Sequence, residues 1–103
     1  MDIDRARTFL EIIHCGSFQG AADRLNVTQT TVSARIRTLE AEVGRPLFVR
    51  NRTGAKLTPA GREFERYAQS MVQMWERARD QLAVPEGKTG VVALGGELSL
   101  WTP

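Results

Sequence analysis

Hydrophobic residues recur at helical spacing in four successive stretches of the chain, separated by glycine, proline and short polar segments. In the first stretch, steps of three and four predict a helix with one apolar face. That face holds Ile3, Ala6, Leu10 and Ile13, and Phe9 and Ile12 widen it. Asp2 or Asp4 can cap this helix, and Gly16 ends it because glycine readily adopts the left-handed conformation. We therefore expect the first helix to belong to the core.

A short second helix and a longer third one follow, with few residues between them. Ser17 can cap the second helix. Its inward-facing residues are predicted to be Phe18, Ala21, Ala22 and Leu25. Asn26 can end this helix and Thr28 can cap the next one, so that only a very short turn remains between them. Two helices joined in this way form the helix-turn-helix pattern.

The third helix, residues 28–43, has a narrow buried seam and a polar face opposite to it. The seam consists of Val32, Ile36, Leu39 and Val43. The opposite face holds Thr30, Ala34, Arg37 and Ala41, with Ser33 beside it and Gln29 at the helix start. Because this face has a cation and hydrogen-bonding groups but no carboxylate, it suits close approach to a polyanion.

The residues after the third helix predict a small basic wing over residues 49–57. Gly44 ends the helix, and Pro46 prevents its continuation. Residues 47–49 are predicted to form a short buried strand. Residues 50–56 are predicted to form a turn in which Gly54 supplies a positive φ.

A long fourth helix is predicted from Pro59 to about Val84, with Thr58 as its cap. Its apolar residues follow a heptad spacing at Phe64, Ala68, Met71, Trp75, Ala78 and Leu82. The spacing alone leaves two interpretations open, since the stripe can pack on the domain's own core or pair with another helix. The predicted length of about 39 Å, at ~1.5 Å per residue, favours pairing because so small a domain cannot cover such a helix.

Three segments are predicted along the chain. Residues 1–58 form the helix-turn-helix and wing, and residues 59–84 form a linker helix. Residues 85–103 form a hinge and the start of a truncated or absent domain. Residues 91–94 have the pattern of a short strand, which is not stable alone. It is expected to pair with another chain, to remain unpaired, or to begin a further domain.

The charged residues are distributed unevenly along the chain. Residues 1–62 hold ten Lys or Arg against six Asp or Glu, whereas residues 63–103 hold four against six. The basic excess therefore lies on the third helix and wing, where a phosphate backbone would be met. One cysteine and one histidine provide neither an internal disulfide nor a recognisable metal site. The single cysteine fits a reducing cytoplasm. No membrane association is expected, because no apolar segment approaches the length of a membrane span.

Residues 3–66 also carry an ordered series of motifs. These are GSF at 16–18, AA at 21–22, Gln29, Val32 and Ser33, LE at 39–40, G..LF at 44–48, Arg50 and LTPAG at 57–61. Together they resemble the N-terminal DNA-binding domain of LysR-type transcriptional regulators. The resemblance implies a mainly α winged helix-turn-helix, with a three-helix core and a two-stranded wing, followed by a linker helix that dimerises antiparallel to its twin.

The resemblance also implies roles for individual residues on double-stranded DNA. The third helix would enter the major groove and the wing would lie on the backbone or in the minor groove. Base contacts are expected from Gln29, Thr30, Thr31 and Ala34. Backbone contacts are expected from Ser17, Thr28, Ser33, Arg37, Arg50, Arg52 and Lys56. The heptad residues of the linker helix would form the dimer interface.

Two positions depart from the family pattern, which commonly has proline after the glutamine and arginine after the serine of the third helix. Thr30 and Ala34 stand at these positions here. Ala34 lacks a guanidinium that could grip a guanine, so base reading is expected to rest more on Gln29, Thr30 and Thr31. Arg35 lies nearer the buried seam and is not expected to replace the missing arginine.

Further partners follow from the resemblance alone. A small-molecule inducer would bind only through an effector domain that this sequence lacks, and a longer form could be a tetramer. No cofactor is expected. The alternative to a DNA-binding homodimer is a protein-interaction module that uses the heptad helix on a winged-helix scaffold. An enzyme is disfavoured, because the sequence has no recognisable set of nucleophile, base and orienting group and no glycine-rich phosphate loop.

Overall fold

The computed structural model describes residues 2–83, in which four helices surround a small core and a two-stranded wing projects from it. The elements in chain order are α1 (Ile3–Cys15), α2 (Phe18–Leu25), α3 (Gln29–Val43), β1 (Phe48–Asn51), β2 (Gly54–Leu57) and α4 (Pro59–Leu82). The predicted fold class, a winged helix-turn-helix followed by a long helix, is confirmed. The predictions for the hinge and for a strand at residues 91–94 lie outside the described residues.

Side-chain caps fix the starts of all four of these helices. A side-chain oxygen accepts a hydrogen bond from a backbone N–H of the first turn at Asp2, Ser17, Thr28 and Thr58. The first three helices end in the left-handed conformation, at Gly16, Asn26 and Gly44. These caps confirm the predicted starts of the four helices and the predicted ends of the first three, because capping depends on residues that are close in sequence. The fourth helix ends at Leu82 rather than at about Val84.

The core is centred on a different side of α1 from the predicted one. Phe9 and Ile12 are fully buried, whereas Leu10 and Ile13 are only partly buried and pack at its edge. The Phe9 ring contacts the rings of Phe48 and Phe64, with both centroid distances at 5.2 Å. The buried face of α1 is therefore the side that carries Phe9, which faces β1 and α4.

The wing is more regular than the predicted turn. Its two strands pair antiparallel, from Phe48 opposite Leu57 to Asn51 opposite Gly54, so that the turn is only two residues long. Val49 is 57% exposed, which corrects the prediction of a buried strand over residues 47–49. Gly54 has φ 141°, as predicted. Phe48 is the buried residue of β1, and the strand is exposed from Val49 onward because the wing projects from the core.

The N-terminal half of α4 belongs to the domain core. Ala68 is fully buried, and Phe64 is partly buried against Phe9. The prediction that Ala68 lies in a dimer interface is therefore wrong, because its side chain presents no surface to a partner. Val43, predicted to extend the buried seam of α3, is 38% exposed because the chain turns away at Gly44.

Within residues 2–83, no helix is long and apolar enough to cross a bilayer. The same part of the chain contains no cluster of three or more potential metal ligands.

Candidate nucleic-acid interface

The turn between α2 and α3 presents the first turns of α3 at the protein surface. The packing of Val32, Ile36 and Leu39 into the core leaves the opposite side of the helix exposed. The exposed side carries Gln29, Thr30, Ala34 and Arg37. The acids of α3, Glu40 and Glu42, lie beyond this surface in the second half of the helix. The structure thus brings four of the predicted DNA-contacting residues onto one carboxylate-free surface.

The hydroxyl groups of two predicted contact residues, Thr28 and Thr31, are engaged in hydrogen bonds of the helix cap. The Thr28 hydroxyl accepts a hydrogen bond from the Thr31 backbone N–H at 3.1 Å. The hydroxyl oxygens of Thr28 and Thr31 are 2.9 Å apart and share a second hydrogen bond. Because both hydroxyls satisfy one another, Gln29 and Thr30 are the freer hydrogen-bonding groups at the start of α3.

Arg35 is directed away from this exposed surface. Its Nη1 donates to the hydroxyl of the buried Thr8 at 3.2 Å, and that hydroxyl in turn donates to the Asp4 carbonyl at 2.7 Å. The geometry agrees with the prediction that Arg35 lies near the buried seam. Residues 29–34 of α3 contain no basic residue, so the cations near this turn are Arg37, further along α3, and side chains from other elements of the fold.

Arg50 of β1 supplies such a cation. Its guanidinium carbon lies 4.0 Å from the centroid of the Phe18 ring, and Nη1 is 3.4 Å from the Ser33 hydroxyl oxygen. A guanidinium over an aromatic face is attracted by the negative potential of the ring. Arg50 therefore connects the wing to both helices of the helix-turn-helix, a contact that the sequence analysis missed.

The tip of the wing is held in shape by a local network. The Asn51 side-chain oxygen accepts from the backbone N–H of Thr53 at 3.0 Å and from its hydroxyl at 2.8 Å. Arg52 in the turn and Lys56 on β2 are exposed. An open cleft of about 280 Å³ separates the tip from the starts of α2 and α3 and is lined by Ser17, Phe18, Gln19, Gln29, Arg50, Asn51, Arg52, Thr53 and Gly54.

The cations of this surface are not neutralised by acids within residues 2–83. The ion pairs in that part of the chain are Arg5 with Glu42, Arg7 with Glu76 and Arg24 with Glu11. Arg37, Arg50, Arg52 and Lys56 take part in none of them. The α3 and wing surface therefore keeps its positive potential.

Glu40 holds the wing to the end of α3, a role that the sequence analysis did not assign. One oxygen of its carboxylate, Oε2, accepts hydrogen bonds from the backbone N–H groups of Leu47 at 2.6 Å and Phe48 at 3.2 Å. Glu40 belongs to the LE motif at residues 39–40, and an acid next to a buried leucine is a signal for such a structural partner. The contact fixes where β1 begins relative to the recognition surface.

The C-terminal half of α4 leaves an apolar surface uncovered in the part of the chain that the structure describes. A groove of about 760 Å³ is lined by Asp2, Ile3, Met71, Met74, Trp75 and Ala78. Met74 is 65% exposed and Leu82 is 81% exposed. The predicted heptad seam therefore divides, since Phe64 and Ala68 face the core while Met71, Trp75, Ala78 and Leu82 line or extend the free surface.

Three helices with a short turn between the second and third, completed by a two-stranded wing, define a winged helix-turn-helix protein. Residues 3–62 match the family model of the bacterial regulatory helix-turn-helix protein, lysR family. The chain belongs to this family, which agrees with the predicted resemblance. It is a family of regulators, in agreement with the prediction that the chain is not an enzyme.

Relatives of known name agree with the family match. The HTH-type transcriptional regulator HdfR of Yersinia enterocolitica is 39% identical over 101 residues, which cover 98% of this chain and 34% of that protein. HdfR of Salmonella newport is 38% identical over 98% of this chain and 36% of its own length. The chain thus spans about a third of the length of these curated relatives.

Solved structures resemble the fold closely. The CbnR_DBD–DNA complex superposes with a TM-score of 0.76 at 30% identity, covering 79% of this chain and 93% of CbnR_DBD. The BenM_DBD complex with benA site 1 DNA gives a TM-score of 0.73 at 31% identity, covering 79% of this chain and 94% of that one. Both of these similar domains were solved bound to DNA.

Proposed function

We propose that this chain binds double-stranded DNA sequence-specifically, as the DNA-binding part of a bacterial transcriptional regulator acting in the cytoplasm. The observation that carries the proposal is the carboxylate-free surface of Gln29, Thr30, Ala34 and Arg37, beside the unneutralised cations of the wing. An exposed helix of this kind fits the major groove of B-DNA, and the similar CbnR_DBD and BenM_DBD structures contain DNA.

The residues divide into those that read bases and those that hold the backbone. Gln29 projects from the start of α3, and its amide can pair with an adenine edge, while Thr30 adds a methyl group and a hydroxyl. Ala34 provides a small apolar contact. Arg50, Arg52 and Lys56, with Arg37, Ser17, Thr28 and Ser33, would contact phosphates, which position the protein without specifying sequence.

The active form would be a homodimer in which the free surface of α4 pairs with that of a second copy. We define this surface, the α4 seam, as Met71, Met74, Trp75, Ala78 and Leu82. Exposed methionine and tryptophan side chains on one face are typical of an interface and costly to leave in water. Residues 59–84 would then be a linker helix that sets the spacing of two recognition helices. In the longer relatives, inducer binding and tetramer formation would reside outside this segment.

Salt dependence tests the proposal directly. The chain is titrated onto duplexes selected from a random library, between about 50 and 200 mM salt, with a scrambled duplex as control. The logarithm of the association constant should fall linearly with the logarithm of salt, by about 0.9 per phosphate neutralised. Selected and scrambled duplexes should share most of this slope and differ in affinity. Failure to enrich any sequence, or an affinity independent of salt, would contradict DNA recognition and leave the α4 seam as the functional surface of an interaction module.

A further inference from the structure

A chain of aromatic contacts runs from the core to the recognition surface and ends at a cation. The Phe9 ring lies 5.2 Å from the Phe48 ring, and Phe48 lies 5.6 Å from Phe18, with the latter two rings nearly perpendicular at 74°. Phe18 is only 6% exposed, and Arg50 covers its outer face. Because Phe18 is fixed by Phe48 from within, it offers Arg50 a rigid platform rather than a mobile partner.

Arg50 is held at two points, and neither of them is an acid. Phe18 supports the plane of the guanidinium, and the Ser33 hydroxyl accepts a hydrogen bond from one of its nitrogens at 3.4 Å. The acid that lines the same shallow cleft is Glu40. Its Oε2 is engaged by the N–H groups of Leu47 and Phe48, and it makes no ion pair with Arg50. The remaining donors of Arg50 stay available to an anion.

We propose that Phe18 is a positioning residue for DNA binding, which holds the guanidinium of Arg50 beside Ser33 as a preformed phosphate clamp. The inference rests on the proposed function. Residues 29–34 of α3 carry no cation, and Arg35 is bonded to Thr8. Arg50 therefore adds its positive charge beside Ser33, where Arg37 lines the same cleft. Through Arg50, the Phe18 ring thus helps to fix the position of the wing relative to α3.

Holding the Arg50 side chain in place before DNA binds should raise the affinity, because less side-chain entropy is then lost on binding. A free arginine on a strand loses rotamer freedom when it binds a phosphate, whereas an arginine already held against a ring loses less. Ordering one such side chain corresponds to roughly a 3- to 10-fold change in affinity. Loss of the platform should therefore weaken binding to every duplex by that factor, without changing which bases are preferred.

A double-mutant cycle separates this role from a merely structural one. Affinity is measured for the wild-type chain, Phe18→Leu, Arg50→Ala and the double variant, on one duplex selected by the wild-type chain. Phe18→Leu should weaken binding about 3- to 10-fold in the wild-type background and less than about twofold when Arg50 is absent. Phe64→Leu is the matched control, because its ring packs against Phe9 in the core and lies outside the Phe9–Phe48–Phe18 chain that supports Arg50. It should lower the melting temperature and leave the affinity of the folded chain unchanged.

The outcomes distinguish the possible failures. An equal effect of Phe18→Leu with and without Arg50 would overturn the clamp and show that Phe18 acts only through folding. If Phe18→Leu does not fold, Arg50→Lys replaces it, since lysine keeps the charge but not the flat guanidinium. Binding of Arg50→Lys equal to wild type would then overturn the proposal, and a 3- to 10-fold loss would support it. If the wild-type chain binds no duplex, the proposed function itself fails.

Discussion

Gly54 of the wing lies directly against Gly16, the residue that ends α1. A Cβ atom placed on Gly54 would collide with the Gly16 carbonyl oxygen, and the same oxygen accepts a hydrogen bond from the Ala55 backbone N–H at 3.0 Å. The wing is therefore fastened to the helix-turn-helix by its backbone. Gly16 ends a helix and Gly54 follows the turn of the wing, and the two glycines contact each other in the fold.

Gly54→Ala should detach the wing from α1. The φ of 141° alone should cost roughly 1 to 3 kcal/mol for a residue with a side chain, and the collision with Gly16 adds to it. Hydrogen exchange at the Ala55 amide should be faster than in the wild-type chain. Gly44→Ala is the control, because Gly44 also has a positive φ of 84° but open space around it. Equal destabilisation by the two substitutions would contradict the steric contact.

Thr58→Ala should remove the hydrogen bonds that hold the start of α4 against the segment before β1. The Thr58 hydroxyl accepts from the Gly61 backbone N–H at 3.0 Å and donates to the Pro46 carbonyl at 2.7 Å. Loss of a cap and of a second hydrogen bond should lower the free energy of unfolding by about 1 to 3 kcal/mol in chemical denaturation. Thr58→Ser keeps the hydroxyl and should lose less than half as much. A Ser variant as unstable as the Ala variant would show that the methyl group, not the hydroxyl, is important.

Caps and helix boundaries could be predicted because they depend on residues within one turn. Asp2, Ser17, Thr28 and Thr58 each bond a backbone N–H two or three positions ahead, so the local sequence contains both partners. The fold class and the exposed surface of α3 followed from these boundaries and the helical period. The contacts of Gly54 with Gly16 and of Arg50 with Phe18 could not follow, because their partners are more than 30 residues apart.

The division of the α4 stripe was beyond prediction for a related reason. Phe64 and Ala68 share a heptad pattern with Met71 and Leu82, and spacing does not show where the domain beneath the helix ends. The structure shows that Ala68 is fully buried while Leu82 is 81% exposed. Packing on the domain's own core is therefore correct for the N-terminal half of the stripe. The C-terminal half is free in the described chain, and its pairing with another helix stays a prediction.

Cys15 should be a slowly reacting thiol. Partial burial, followed by the charge and hydrogen bonding of Glu11, raises the pKa of the Cys15 thiol above its ordinary value. The folded state therefore favours the protonated thiol. This contribution to stability is complete below the unfolded pKa and is lost as the pH rises through the folded pKa.

Alkylation of Cys15 measured against pH checks this expectation. Iodoacetamide should modify the folded chain slowly at neutral pH, and the rate should rise at a higher pH than in the denatured chain. Glu11→Gln should move the midpoint downward, because it removes the neighbouring negative charge. A folded midpoint at or below that of the denatured chain would contradict the assigned environment.

Gln29→Ala and Arg52→Ala should affect DNA binding in different ways. Loss of the Gln29 amide should cost about 1 to 3 kcal/mol at one or two base positions and relax the preference there. Loss of the exposed Arg52 guanidinium should weaken binding to all sequences alike and reduce the salt slope by about 0.9. Selection from a random library, followed by titration at several salt concentrations, measures both effects. A base-specific loss in Arg52→Ala would show that the wing reads sequence.

Met74→Asp should separate dimerisation from folding. Met74 is 65% exposed in the single chain and lies in the apolar groove with Ile3 and Trp75. A carboxylate there should leave the melting temperature of the isolated domain within a few degrees, while its burial between two helices would be strongly unfavourable. Sedimentation should show the proposed dimer for the wild-type chain and a monomer for the variant, and affinity for a two-site duplex should fall toward that for a single site. Gln73→Asp places the same charge on a neighbouring exposed residue and should preserve the dimer. Persistence of the dimer in Met74→Asp would mean that the α4 seam is not the surface through which two copies meet.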